Sequence, residues 1–317
     1  MTRSRFRTYA WGVLGYNLLV ILWGAFVRAT GSGAGCGSHW PLCNGEVIPR
    51  PEQVATLVEF VHRLTSGVAL LTAVGLLVWA RRDYPAGHPV RRGAAYAMGF
   101  MVMEALLGAG LVLFEWVAND ASLARAISMS LHLVNTFLLV AALALTAWWA
   151  SGGGAVQLRG QGPLGGALVG GLAALVVLGM SGAVIALGDT LFFAHTRAGG
   201  AHETLPALVA AIVSIRVLHP IIAVAVGAYL VAVAWWAGAA RPAQATRALA
   251  AGVTALYLVQ LAAGAVNVAL QVPVWMQLVH LLLADLVWIL AVLLSASALS
   301  STAGAAAPAA ATAPASP

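Results

Sequence analysis

Lysine is absent from this 317-residue chain, and charged residues of both signs make up only 8% of it. So few charges exclude the ordinary soluble globular class, in which about a quarter of the residues are charged. Hydrophobic residues make up 61% of the chain and its mean hydropathy is +0.91, as is typical of integral membrane proteins. The sixteen arginines give a net charge of +6, but they are scattered through short loops, so no nucleic-acid partner is predicted.

Eight apolar runs follow one another along the chain, and each is close to the ~20 residues that a helix needs to cross the hydrocarbon core. The first is too long for the core of a signal peptide and is interpreted as a retained transmembrane helix. The fold class predicted is therefore an all-α integral membrane protein with eight transmembrane helices. The runs lie at about 9–29, 57–80, 93–114, 125–150, 163–187, 212–238, 248–270 and 274–298.

Most arginines lie in the N-terminal residues and in the connections 81–92, 151–162 and 239–247. By the positive-inside rule these segments are cytoplasmic, which places both termini inside. The remaining loops, 30–56, 115–124, 188–211 and 271–273, are then outside. After its first residue the segment 299–317 contains only Ser, Thr, Ala, Gly and Pro, which predicts a disordered cytoplasmic tail.

Cysteine is nearly absent too, since Cys36 and Cys43 are the only two and both lie in the first outer loop. On the oxidising side of a membrane such a pair can form a disulfide. We therefore predict a disulfide that closes a small loop around Trp40 and Pro41, with two unpaired thiols as the alternative.

Similar segments recur in the same order in the two halves of the chain, which predicts an internal repeat. Two homologous four-helix bundles follow, in parallel orientation, because four helices return the chain to the side on which it started. The predicted bundles are residues 1–150, with the cysteine loop, and residues 163–298. The matched residues are Gly24 with Gly182, His62 with His219, Glu104 with Gln260, Gly108 with Gly264, and His132 with His280.

Four of the eight histidines lie inside apolar runs: His62, His132, His219 and His280. Each is on an even-numbered helix, about 8 to 11 Å below the outer face. Ionisable side chains in a membrane are costly and usually functional, and four at equivalent positions argue against mere packing residues. One pair facing across each bundle is suited to axial ligation of a haem. Zinc would need three or four ligands, and neither bundle has an evident third.

Charged residues accompany these histidines. Glu59 precedes His62 by three residues and shares its helix face, where a carboxylate can act as a base, a proton relay or a stabiliser of a cation. The alternative is an ion pair between Glu59 and Arg63. Glu104 aligns with Gln260, which favours an interhelical role over catalysis. Cations near the outer helix ends are candidates for binding haem propionates, or for anchoring at lipid headgroups: Arg28, Arg63, Arg125 and Arg216.

A family resemblance is concentrated between residues 27 and 63 and extends over about residues 9 to 298. With His132, His219 and His280 this stretch resembles the haem A synthases of bacterial and mitochondrial membranes. The matching residues are Val27-Arg28, Gly31-Ser32-Gly33, Cys36, Trp40-Pro41-Leu42-Cys43, Gly45, Pro49 and the segment Glu59-Phe60-Val61-His62-Arg63.

The resemblance implies an enzyme of the bacterial cell membrane that oxidises a ring methyl of haem O to a formyl group, which gives haem A for terminal oxidases. It implies that His62 and His132 hold the substrate haem O, that His219 and His280 hold a haem b, and that Glu59 is needed for turnover. The implied partners are an upstream haem O synthase, which is a farnesyltransferase, and an unidentified electron donor or acceptor.

An iron with two histidine ligands has no open position for oxygen. Either one histidine leaves during turnover, or the iron withdraws electrons while Glu59 and water supply the chemistry. The first alternative function is a di-haem b-type electron-transfer protein, but its haems would be stacked across the membrane rather than placed at one depth. The second is a transporter, which would have broken helices and a site near the midplane.

Overall fold

A computed structural model describes residues 2–50, 53–196 and 207–300, and over these ranges it contains eight long helices. Each includes a segment long and apolar enough to cross a membrane, which confirms the prediction of an all-α, multi-pass membrane protein. A short 3-10 helix, Ser32–Ala34, follows the first of them. The helices are α1 Thr2–Ala29, α2 Val54–Asp83, α3 Pro89–Leu113, α4 Leu123–Ala150, α5 Gly162–Thr196, α6 Ala207–Ala240, α7 Gln244–Ala269 and α8 Val274–Ala298.

Helices α5 and α6 both extend into a segment predicted as a loop. The predicted loop 188–211 is wrong at both ends, because α5 continues to Thr196 and α6 begins at Ala207. Backbone hydrogen bonding does not stop where the apolar run stops, since each amide still needs a partner.

Residues 299 and 300 pair with the connection between α4 and α5. Leu299 is buried, and its carbonyl accepts a 2.9 Å hydrogen bond from the Gln157 amide. Ser300 forms an isolated bridge with Val156. The rest of the predicted disordered tail, residues 301–317, lies outside the described residues.

The helices form two groups of four. Within α1–α4, and again within α5–α8, each helix packs on its neighbour in sequence and the first packs on the last. We call these groups the first and the second bundle; in each, the two even-numbered helices lie on a diagonal. This arrangement supports the predicted pair of four-helix bundles, whereas their homology as a repeat stays a prediction.

The two bundles meet through α1, α4, α5 and α8. α4 and α8 have the largest share of buried residues because they lie between the bundles. Midway along this interface the rings of Phe137 and Trp288 stack with centroids 4.9 Å apart, and the Trp288 indole N–H donates to the Phe137 carbonyl at 2.7 Å. Stacked aromatic rings and a buried hydrogen bond hold the two bundles in one relative position.

The eight helices have two distinct ends. We call the end that carries residues 30–50 and the short turns before α4 and α8 the loop end. The other end, which carries both described chain termini and ten of the sixteen arginines, is the arginine-rich end. That the loop end faces outward stays a prediction from the positive-inside rule.

Candidate functional site

The four membrane histidines lie toward the loop end of the even-numbered helices. His62, His132 and His280 are about two turns from the start of their helices, and His219 is about three turns in because α6 begins early. All four rings are half-buried. His62 is within electrostatic range of His132, and His280 is within range of His219. The structure thus brings the histidines together in the predicted pairs, one pair per bundle.

Glycines make room for three of these rings. A Cβ atom at Gly24 would be 2.9 Å from His62 Cε1, and one at Gly264 would be 3.0 Å from His280 Cε1. A Cβ at Gly182 would be 3.4 Å from His219 Cε1, which is an ordinary contact. The space that a Cβ would occupy at Gly108, beside α4, has no atom of the described residues within 4 Å. The imidazoles of His62 and His280 therefore pack directly on helix backbone.

Polar side chains from the odd-numbered helices contact three of the histidines. His132 Nδ1 lies 2.7 Å from Glu104 Oε2, and the Thr136 hydroxyl contacts the other oxygen of the same carboxylate. The other two partners are in the second bundle. Ser181 Oγ is 2.7 Å from His219 Nδ1, and Gln260 Nε2 is 3.3 Å from His280 Nε2. The predicted interhelical role of Glu104 is thus a contact with a histidine.

The donor set fits an axially ligated haem in each bundle. Each bundle brings one imidazole from each of two diagonal helices, and haem iron takes histidine nitrogens as axial ligands. Three buried ring nitrogens have no hydrogen-bond partner among the described residues, namely His62 Nδ1, His132 Nδ1 and His280 Nδ1, and they mark a site whose polar groups are incompletely satisfied.

The cysteine loop is folded back onto the start of α2. Cys36 and Cys43 form a disulfide, as predicted, and both are buried. The Thr56 hydroxyl donates to the Gly35 carbonyl at 2.7 Å, and the Asn44 amide donates to the Cys36 carbonyl at 3.0 Å. The loop therefore covers the loop end of the first bundle as a fixed element.

Glu59 joins that loop to α2. The residue is 3% exposed, and its Oε2 accepts a 2.9 Å hydrogen bond from the Cys36 backbone amide. Its Oε1 lies 2.5 Å from Arg63 Nη2, so the alternative ion pair is present. Arg63 Nη1 in turn donates to the carbonyls of His39 and Leu42, both at 2.5 Å. Glu59 thus holds the loop one turn from His62, while its predicted catalytic role stays a prediction.

The other candidate arginines all have protein partners. Arg28, on α1, donates to the Ala186 carbonyl at 2.6 Å, to Thr190 Oγ1 at 2.7 Å and to Gln277 Oε1 at 2.9 Å, so it reaches across into the second bundle. Arg216 Nη1 lies 3.1 Å from Asp189 Oδ1. Arg125 is buried, and its Nη1 donates to the Ala118 and Asp120 carbonyls at 2.7 and 2.8 Å. Their predicted role toward propionates stays a prediction.

Sequence reasoning missed three of the polar side chains at this end of the molecule. Ser181 contacts His219, Thr136 contacts Glu104, and Gln277 accepts from Arg28. The internal repeat could have pointed to Ser181, because this residue directly precedes Gly182. A single serine in an apolar run, however, is ordinarily hydrogen-bonded to its own helix, so nothing in the sequence was a reason to select it.

The close approach of Gly35 to α2 gives a testable consequence. In a Gly35→Ala variant the new Cβ would overlap the carbonyl carbon and oxygen of Ala55, which are backbone atoms and cannot turn away. Overpacking typically costs about 1 to 3 kcal/mol, so the loop should open more often and its disulfide should be reduced about tenfold faster by a soluble phosphine. Maleimide labelling after timed reduction measures this rate.

Gly33→Ala is the matched control, because its Cβ would meet Val117 at an ordinary 3.5 Å. Equal labelling rates for the two variants would show that the loop is not held against α2 as described.

The chain matches one known family and several known proteins. The family model described as cytochrome oxidase assembly protein (COX15-CtaA) matches residues 7–292. A Thermus thermophilus protein named protoheme IX farnesyltransferase is 57% identical over 296 residues, which cover 93% of this chain and 49% of the relative.

Two shorter matches carry a different name. The heme A synthase of Exiguobacterium sp. AT1b is 36% identical over 126 residues, covering 40% of this chain and 41% of that relative. The heme A synthase of Bacillus cereus AH187 is 40% identical over 128 residues, 40% of each chain. This chain spans about half the length of the Thermus relative, and its matches cover 41% and 40% of the two heme A synthases. It belongs to the cytochrome oxidase assembly protein family, COX15-CtaA, over nearly its whole length.

Proposed function

We propose that the chain is a haem A synthase, which oxidises a ring methyl of haem O to a formyl group to supply haem A to terminal oxidases. One observation carries the proposal: each bundle holds a histidine pair, and only the first bundle also carries a disulfide loop anchored by Glu59. Membership in the family and the two matched heme A synthases support the same activity.

The two bundles have different roles in this proposal. The first holds haem O between His62 and His132, because the covering loop and the carboxylate next to His62 are found there. The second holds a resident haem b between His219 and His280, which would supply one-electron transfer when bound. The corresponding region of the second half is made of the longer α5 and α6 and has no cysteine.

In this proposal the side chains of the protein bind the haem, orient it and shield it from water. Glu104 lies 2.7 Å from His132 Nδ1, so Nε2 is the nitrogen that would bind iron. Glu59, with Arg63 beside it, is a carboxylate from which a proton can be taken or to which one can be given near the reacting edge. The loop over it keeps bulk water from that edge, because its backbone is tied to α2 at both Gly35 and Cys36.

Arginines set the orientation of each haem by pairing with propionates. Arg28 belongs to α1 but makes its contacts with α5 and α8, so we assign it to the haem of the second bundle together with Arg216. Arg63 and Arg125 lie at the loop end of the first bundle and are assigned to haem O.

The proposed activity needs an upstream enzyme that makes haem O and a location in the membrane. A relative named protoheme IX farnesyltransferase is about twice as long as this chain, which supports a physical link with the enzyme that makes haem O. An apolar substrate that passes directly between two membrane proteins avoids release into the bilayer. The site would lie at the outer side of a bacterial cell membrane, with both termini cytoplasmic, and an electron donor or acceptor would complete turnover.

Haem extraction from membranes tests the activity. A host that makes haem O but no haem A is grown with and without the chain, and the extracted haems are separated by chromatography. We expect haem A, or its alcohol intermediate, only when the chain is present. Unchanged haem O, in a host shown to provide electron partners with a known haem A synthase, would contradict the proposal and favour the di-haem electron-transfer alternative.

A further inference from the structure

The four histidines differ in the polar groups that contact their ring nitrogens. Metal-binding histidines usually bind the metal through one ring nitrogen while the other is fixed by a neighbouring polar group. His219 Nδ1 lies 2.7 Å from Ser181 Oγ, and His132 Nδ1 lies 2.7 Å from Glu104 Oε2 as an ion-pair contact. Gln260 contacts His280 at Nε2, at 3.3 Å, so His280 Nδ1, like His62 Nδ1, is buried and has no hydrogen-bond partner among the described residues. In the first bundle, therefore, His132 has a carboxylate beside its Nδ1, whereas His62 has neither an ion pair nor a hydrogen bond there among the described residues.

The contact between Ser181 and His219 shows how a neighbouring polar group can fix a histidine ring. The Ser181 hydroxyl can donate its single proton to the Leu178 carbonyl at 2.7 Å, and its oxygen can then accept from His219 Nδ1–H at 2.7 Å. This arrangement leaves the Nε2 lone pair of His219 for iron and fixes the plane of the ring. The Glu104 carboxylate lies as close to His132 Nδ1, at 2.7 Å, and acts on it as an ion-pair partner.

The first bundle lacks a counterpart of Ser181. In the repeat, Gly24 matches Gly182, so the position before it, Trp23, corresponds to Ser181. The Trp23 indole N–H donates to the Val58 carbonyl at 3.0 Å and is not used on the His62 ring. The position of Gly24, close beside the His62 ring, offers no polar side-chain group to it.

A histidine without such a partner leaves iron more easily. When a held ring turns away, a hydrogen bond between the protein and the ring is lost as well as the bond to iron, and its buried partner is left unsatisfied. When His62 turns away, only the bond to iron is lost.

We propose that His62 is the exchangeable ligand of the first bundle, which leaves the substrate iron to open a coordination position, while His132 is the anchoring ligand. The proposal rests on the proposed function, because it needs haem O in this bundle. It also gives Glu104 and Ser181 the task of positioning residues that keep their histidines bound.

Carbon monoxide binding tests the assignment. Full-length protein loaded with haem O is reduced without oxygen, and its haem content and carbon monoxide spectrum are measured for His62→Gly and His132→Gly. We expect His62→Gly to keep haem O within about twofold and to bind carbon monoxide about tenfold faster than the unsubstituted protein, since no ligand must be displaced. His132→Gly should lose haem O about tenfold or more.

Equal loss of haem O in both variants, or loss confined to His62→Gly, would overturn the assignment while leaving the proposed function intact. Protein that never binds haem O between these helices would contradict the proposed function and this inference together.

A second pair of variants tests the physical cause without removing a ligand. Ser181→Ala frees His219 Nδ1, so the second-bundle haem b should bind carbon monoxide about tenfold faster than it does in the unsubstituted protein. Ser130→Ala is the control, because Ser130 is a buried serine whose hydroxyl donates to the Ala126 carbonyl. If Ser181→Ala binds carbon monoxide no faster than the control, a partner on Nδ1 does not govern ligand exchange, and the proposal fails.

Discussion

Replacing His280 with alanine is expected to remove haem b from the purified protein, with retained haem b falling about tenfold or more. The reason is that the second bundle offers one histidine from α6 and one from α8, so a single loss halves its iron ligands. Loss of a residue that only supports a metal ligand typically costs about 10- to 100-fold in metal affinity, and loss of the ligand itself should cost at least as much. Pyridine haemochrome absorbance per protein, with chromatography to separate haem b from haem O, measures the change.

His88→Ala is the matched control for that variant. His88 caps α3, where its ring accepts from the Val90 amide at 3.2 Å, and it lies at the arginine-rich end, away from both histidine pairs. Loss of a cap typically costs about 1 kcal/mol, so haem content should be unchanged. The proposed cofactor site would be wrong if His280→Ala kept its haem b while remaining inserted in the membrane.

Replacing Glu59 with glutamine is expected to reduce conversion of haem O by about 10²- to 10⁴-fold, the usual contribution of general acid–base catalysis. Glutamine keeps a carbonyl oxygen that can accept from the Cys36 amide, so the loop should stay closed. What it removes is the negative charge and the ability to exchange a proton. The measurement is the ratio of haem A and its alcohol intermediate to haem O in extracted membranes.

Two comparisons separate the catalytic role of Glu59 from its structural one. Glu46→Gln alters an exposed carboxylate of the same loop and should leave conversion unchanged. Glu59→Ala removes the acceptor as well, so it should also expose the disulfide to reductant. Full conversion by Glu59→Gln would show that Glu59 only fastens the loop through Cys36 and Arg63, and the catalytic assignment would have to be dropped.

Much of the site could be predicted from the sequence because the relevant signals are local. Apolar runs identify membrane helices from the free energy of transfer alone, and a histidine inside such a run is conspicuous wherever the helix packs. Cys36 and Cys43 are the only cysteines, so their pairing required only a loop short enough to close. The i,i+4 spacing of Glu59 and Arg63 likewise allowed for the ion pair that the structure contains.

Contacts between helices could not be predicted in this way. Arg28 was predicted only as a cation near an outer helix end, and the structure shows that its guanidinium binds Ala186, Thr190 and Gln277 of the second bundle. The ends of α5 and α6 were misplaced because backbone hydrogen bonding, rather than hydropathy, decides where a helix ends. Neither result follows from spacing along one helix.

The sequence by itself determined the eight membrane helices, the four histidines on even-numbered helices and the pair of cysteines, because hydropathy and side-chain chemistry belong to single segments. Only the tertiary structure decided which histidine has a partner. Whether a side chain on one helix meets a ring on the next depends on the rotation and packing of both helices. This placed Ser181 at His219 Nδ1 and Glu104 at His132 Nδ1, and left His62 Nδ1 and His280 Nδ1 without a hydrogen-bond partner among the described residues.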